Sequence, residues 1–304
     1  MKKILFIFLL LPFLGISQDF GITASSIKTS EPLIGDTYVG VGAAYSCVRK
    51  LKSDYTGSAI RVQRSSDAFQ SDIGFDAAGF LDTAQLLSVA GSESLDVITV
   101  YDHSGNGYHL TASVAQRWRI VESGVIYRAG GQPMINDPLI GVARGFSKTT
   151  GITSSDLSTY SAGEGDQTIV FVGGFGTAGA NAYLLVNPSS VTEGFLFYRP
   201  TPIITLRFES DENNISASIN SDGAVVEVYW DAATDASYVY ADGVLAGTSS
   251  NDPVDAVDAT NGIYFGSGAT ATNPKFLQEL IIFNQSHKTS QSDLYTDVSG
   301  IYTY

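Results

Sequence analysis

Asp102 and His103 stand side by side in the segment Tyr101-Asp102-His103-Ser104-Gly105-Asn106-Gly107. A carboxylate next to an imidazole is a pairing that general acid/base or metal chemistry uses. The two glycines and the serine that follow favour a strand running into a turn, in which Asp102 accepts backbone N–H groups and Gly105 and Gly107 take positive φ. His109 and His287 are isolated, and no His, Cys, Asp or Glu spacing matches a zinc site. Asp252, Asp255 and Asp258 offer the hard oxygens that calcium prefers but lack a compact binding-loop pattern, so they read as a solvated acidic loop. Neither a metal nor a cofactor is therefore expected. Arg61 or Arg64 with Asp67 or Asp72, close in sequence, reads as an internal ion pair that pins a helix-to-strand connection rather than as a ligand site, with Arg61 and Gln63 on the strand face opposite Val62. Cys47, the single cysteine, excludes an internal disulfide and reads as a buried small hydrophobe.

These residues must be positioned by strands. Sixteen Tyr, sixteen Phe and 31 Gly, with short apolar runs closed by Gly, Asn, Asp or Ser, point to many strands joined by turns. Strands are expected at 59–63, 97–101, 124–129, 168–173, 194–198, 203–208, 224–230, 237–241, 244–248, 262–266 and 276–284. Asp242-Gly243 marks a two-residue hairpin between two of them, because Asp-Gly readily takes positive φ. In 225–230, Val226, Val228 and Trp230 share a face and Glu227 marks the other, whereas Leu280 to Phe283 is apolar throughout, as a strand buried on both faces would be. Helical spacing is confined to 43–51, to 83–89 and to a C-terminal segment carrying Leu294, Val298 and Ile301, with Ser290 as its cap. The aromatic side chains Trp118, Trp230, Tyr198, Tyr229 and Tyr240 could stack on sugars, yet in a sandwich such residues chiefly supply buried area.

Lys2 and Lys3, an apolar run from Ile4 to Leu14, and the small residues Gly15 and Ser17 form the three-part pattern of an export signal, so cleavage is expected near Ser17 and secretion to the periplasm or beyond. No stretch reaches the ~20 apolar residues of a membrane span. Removing Lys2 and Lys3 takes the formal charge from −14 to −16. That balance disfavours nucleic acid and anionic lipid as partners and leaves a neutral partner. No repeat or linker divides residues 18–304, which read as one domain after the signal peptide of residues 1–17.

Two stretches carry more than a generic strand pattern. One is AAYSCVRKLKSDYTGSAIRVQRSSD from Ala43 to Asp67, followed by DIGFD from Asp72 and FLDTAQL from Phe80; the other is VITVYDHSGNGYHL from Val97 to Leu110. Together they resemble the opening of the arabinofuranosidase B catalytic domain. NGIYFGSG from Asn261 and KFLQELIIFNQ from Lys275 are similar to its closing strands. The resemblance implies a concanavalin A-like jelly-roll β-sandwich with a few short helices. Between about 170 and 260 it is carried by strand spacing alone, which laminin-G-like binding modules share.

What the resemblance implies for chemistry is a retaining glycoside hydrolase, in which one carboxylate attacks the anomeric carbon and another protonates the leaving oxygen across about 5–5.5 Å. The family nucleophile is a Glu leaving a central strand in Asp-Leu-Glu-Asn-Gly. The nearest position is Glu209, after the strand 203–208, with Glu193 before Gly194-Phe195 as the second choice. The family acid is an Asp after a Gly-x-Gly-Gly turn; here the turn reads Gly266-Ser267-Gly268-Ala269-Thr270, which puts Thr270 where the acid would stand. A hydroxyl has no proton to give near neutral pH. The family's adjacent cysteine pair is also missing. The expectation is a glycan-associated domain for arabinose-containing or other neutral polysaccharide with weak or lost hydrolysis. An active α-L-arabinofuranosidase and a non-catalytic structural or adhesion module stand as alternatives.

Overall fold

A computed structural model describes residues 33–137, 144–148, 166–174, 182–184, 195–198, 203–208, 213–218, 223–231, 233–234, 236–249, 263–267 and 276–304. The protein is an all-β jelly-roll sandwich: among those residues one sixteen-stranded sheet and two smaller sheets are antiparallel throughout, with few short helices.

The strand Phe276–Phe283 lies at the middle of one layer. It pairs with Val41–Ser46 (Tyr45 opposite Leu280) and with Gln167–Gly174 (Phe171 opposite Leu280). Gln167–Gly174 in turn pairs with Ala224–Asp231. All eight residues of Phe276–Phe283 are buried, because the two faces meet two different apolar environments. Leu280 and Ile282 point into the main core with Val226, Val228 and Trp230. Ile281 and Phe283 point outward, where Leu294 and Val298 of the C-terminal helix Gln291–Ser299 cover them. Leu294 and Val298 are one helical turn apart, which is why that helix shows a single apolar stripe to the sheet. Ser290 occupies its N-cap position without a side-chain capping bond.

The second layer is built around Leu95–Val100, flanked by Ile60–Arg64 and Trp118–Glu122. The short helix Thr83–Ala90 is capped by Asp82, whose carboxylate accepts the Gln85 N–H at 2.8 Å. The hairpin at Asp242-Gly243 forms as expected, with φ of 49° and 76°, joining Ala236–Ala241 to Val244–Ser249. The three-stranded sheet Phe195–Tyr198, Ile203–Phe208 and Asn213–Ser218 pairs Phe195 with Phe208. Its first strand adjoins Ala182–Leu184 and its last adjoins Val244–Ser249, the two strands that end the order of the large sheet.

One expectation is corrected. The helical spacing at 43–51 belongs to a strand, Val41–Ser46, followed by irregular chain. Its apolar residues recur because both strand faces are buried, so the periodicity that suggests a helix has no polar alternation to oppose it. Glu227 takes the face opposite Val226 and Val228, as its alternation implies; that face lies under the C-terminal helix, and Glu227 is fully buried.

Candidate functional site

Glu209, Glu193, Thr270 and the Asp252, Asp255 and Asp258 cluster lie outside the described residues. What is described nearby is backbone. Phe208, immediately before Glu209, pairs with Phe195, and Ser267 in the Gly266-Ser267 turn sequence pairs with Arg144 and with Ala182.

Asp102 is a structural hub. Its Oδ1 accepts the Ala44 and Ser104 N–H groups at 2.9 Å each, and its Oδ2 accepts the Tyr108 N–H at 3.0 Å and the Ser104 hydroxyl at 2.7 Å. Gly105 and Gly107 have φ of 96° and 77°. The turn is thereby stitched to the strand Val41–Ser46, with the His103 N–H adding a bond to the Ala44 carbonyl at 2.7 Å. Among the described residues no three His, Cys, Asp or Glu side chains are placed to hold a metal.

The His103 ring is also buried, and neither ring nitrogen meets a protein partner. Burial first, then the positive charge of Lys50 and His109, push it down to about 3, so it is neutral across the ordinary pH range. Its role is that of a flat ring. It stacks on Tyr55 with centroids 4.6 Å apart and planes 26° from parallel, and it meets the Phe75 ring edge-on at 5.3 Å. Tyr55 and Phe75 are themselves perpendicular, 6.4 Å apart, and both are half-buried. The motif Tyr55-Thr56-Gly57 thus acquires a physical reason: the Tyr55 hydroxyl donates to the Ser58 carbonyl at 2.7 Å, folding the ring back where any side chain at position 57 would strike it. A cleft of about 470 Å³ opens in front of these rings, lined by Lys50, Tyr55, Thr56, Ser58, Phe75 and Asp76 among others.

The arginine and aspartate residues pair as expected. Arg61 clasps Asp72 with two bonds of 2.7 Å, and Arg64 clasps Asp67 at 3.0 and 2.7 Å. The Arg61 fork holds the Asp72 carboxyl below its ordinary range. Solvent screens such partly exposed pairs, so they set geometry more than stability. Cys47 is buried and unreactive, its thiol pushed well up by burial. Trp118, Trp230 and Tyr229 are core residues, while the Tyr240 ring is half-buried, edge-on to Tyr229; the Tyr198 side chain lies outside the described residues.

Two buried carboxylates had no sequence signal. Glu279 is enclosed and bound by Arg49, whose Nε and Nη2 donate at 2.9 and 3.2 Å; Arg49 also donates to the Asp297 carbonyl of the C-terminal helix. Glu227 accepts the Tyr229 hydroxyl at 2.9 Å and the Gln291 amide at 2.6 Å, with no cation beside it among the described residues. Burial pushes its carboxyl up to about 7.

Residues 35–132 match the family described as Alpha-L-arabinofuranosidase B, catalytic. The "Probable alpha-L-arabinofuranosidase B" of Aspergillus flavus is 40% identical over 97 residues, which cover 30% of this chain and 19% of that protein. The Alpha-L-arabinofuranosidase B of Aspergillus oryzae matches to the same extent. The chain therefore matches about a fifth of the length of these curated relatives. Among solved structures, an arabinofuranosidase complexed with arabinofuranosyl-alpha-1,2-xylobiose is similar with a TM-score of 0.66 at 15% identity, over 86% of this chain and 63% of that one. An α-L-arabinofuranosidase soaked with a cyclic sulfate inhibitor gives 0.64 at 15% identity and the same coverage. These structures share the fold, and the sequence likeness to an arabinofuranosidase B-type catalytic domain is concentrated in residues 35–132.

Proposed function

We propose that this chain, whose residues 35–132 match the arabinofuranosidase B-type catalytic domain, is an exported glycan-associated protein. In this reading it holds an arabinose-bearing or other neutral polysaccharide and hydrolyses it weakly or not at all. The observation that carries the reading is Thr270, at the end of Gly266-Ser267-Gly268-Ala269-Thr270, where the resemblance calls for a carboxylic acid. Without that acid the departing sugar oxygen leaves as an alkoxide, a poor leaving group, whereas a nitrophenolate leaves unaided. The acidic surface, with a net charge of −14, supports a neutral ligand over a polyanion.

The test compares an aryl arabinofuranoside with a natural arabinose-substituted polysaccharide. Residual turnover on the first and none on the second fits a surviving nucleophile at Glu209, and Glu209→Gln then abolishes it. Thr270→Asp raises turnover on the polysaccharide if the site geometry is retained. Turnover on both substrates at ordinary enzyme rates refutes the reading in favour of a working α-L-arabinofuranosidase, which the 40% identity to named enzymes supports. For export, the expected result is a mature chain beginning near Gln18 by mass analysis, and full-length protein retained inside the cell refutes it.

A further inference from the structure

The cleft in front of Tyr55 and Phe75 is built from three separate parts of the chain, Lys50, 55–58 and 74–79, all remote in sequence from Glu209 and Thr270. Its back is the perpendicular pair of half-buried rings, and behind them lies the buried, neutral His103 ring, stacked on Tyr55. The rings are fixed rather than floppy. The Tyr55 hydroxyl is anchored on the Ser58 carbonyl, and Phe75 bridges to Leu81 through the backbone. The segment 74–79, which carries Phe75, is also held in place: the Asp76 Oδ1 accepts the Ala78 and Phe80 N–H groups at 2.9 Å each, and the Lys50 N–H bonds the Gly79 carbonyl at 2.8 Å. That leaves the Asp76 Oδ2, the Thr56 hydroxyl and the Lys50 ammonium at the cleft without a hydrogen-bond partner among the described residues.

A ligand suited to this cleft must show apolar C–H surface to a pair of fixed rings and hydroxyls to a rim holding both a cation and an anion. A pyranose or furanose unit does both. A polyanion would face Asp76 within a protein of net charge −14, and a purely apolar ligand would leave the rim groups unpaired. The volume of about 470 Å³ lies within the range of small-ligand clefts, about 300–1,000 Å³. Because the walls are ordered by contacts of their own, little conformational freedom is lost on binding.

We infer that the cleft between the 55–58 turn and the 74–79 turn is a secondary binding site for one neutral sugar unit of a polysaccharide, with Tyr55 and Phe75 as its stacking platform. The inference rests on the glycan reading above and adds a second place of contact remote in sequence from the candidate nucleophile.

The experiment measures binding of the purified full protein to soluble arabinan, arabinoxylan and unsubstituted xylan by affinity electrophoresis and calorimetry. Ala77→Arg fills the cleft from an exposed turn position without touching the core. Tyr55→Ala removes the platform. Each is expected to weaken polysaccharide binding about tenfold or more, with turnover of the aryl arabinofuranoside, at whatever level the wild type shows, unchanged. A melting temperature for Ala77→Arg equal to that of the wild type separates blockage from misfolding, and Thr56→Arg serves as the second blocking variant should Ala77→Arg lower it. Wild-type affinity retained in the blocking variants overturns the cleft while leaving the glycan reading intact. Absence of binding to all three polysaccharides by the wild type overturns both.

Discussion

Glu227→Gln is the most informative single perturbation of stability. In the folded protein this carboxyl is enclosed between the sheet and the C-terminal helix, with the Tyr229 hydroxyl and the Gln291 amide as its partners and no cation among the described residues. Burial penalises its charged form and moves the carboxyl from an ordinary 4.5 up to about 7. A raised carboxyl means that the folded state holds the proton more tightly than the unfolded state. Its contribution is therefore fully present below about pH 4.5 and is lost as pH rises to about 7. At 1.36 kcal/mol per pH unit, the loss over that window is about 3 kcal/mol, a sizeable part of the ~5–15 kcal/mol that holds a domain folded. Gln has the same shape and cannot ionise. The assay is urea unfolding of wild type and variant from pH 4.5 to 8. The wild type is expected to lose about 3 kcal/mol relative to the variant across the window. His103 and His287, both pushed down by burial, lower stability as pH falls below about 6.5, but they do so in both proteins and cancel in the difference. Parallel stability curves for the two proteins would refute the argument that Glu227 is a buried acid without a counter-charge.

Arg49→Met leaves Glu279 enclosed without its cation and is expected to destabilise by about 3–5 kcal/mol, read as a shift in the urea midpoint; a change under 1 kcal/mol would show that the pair is dispensable. Asp102→Ala removes an acceptor that holds three backbone N–H groups and a hydroxyl. It should cost about 3 kcal/mol or more, with faster amide exchange at Ala44 and Tyr108 as the local signature. Gly243→Ala forces a Cβ to within 2.7 Å of the Tyr295 ring at a residue whose φ is 76°, so a loss of about 1–2 kcal/mol is expected in thermal unfolding.

The strands were legible because each is a short apolar run closed by turn formers; 203–208 and the Asp-Gly hairpin fall where those residues place them. Position 43–51 was misread because a strand buried on both sides loses the alternation that distinguishes it from a helix. Glu227 alternates correctly with its valine neighbours, yet alternation reports which face a side chain takes, not whether that face meets water. The cleft was illegible for a different reason. Tyr55, Phe75 and His103 come from three segments, and only the pairing of Ile60–Arg64 with both Gln70–Ile73 and Leu95–Val100 brings the flanking turns together. The partnership of Arg49 with Glu279 spans 230 positions, beyond the reach of any spacing rule.

The placement of Phe276–Phe283 has a consequence for how the chain comes to be folded. This strand joins Val41–Ser46 on one side to Gln167–Gly174 on the other, so the earliest described strand finds its neighbour only when residue 283 has been made. A chain synthesised from its N-terminus must carry Val41–Ser46 unpaired through more than two hundred further residues. Such long-range closure makes folding slow, and the layer built on Phe276–Phe283 closes only when nearly all of the chain is available.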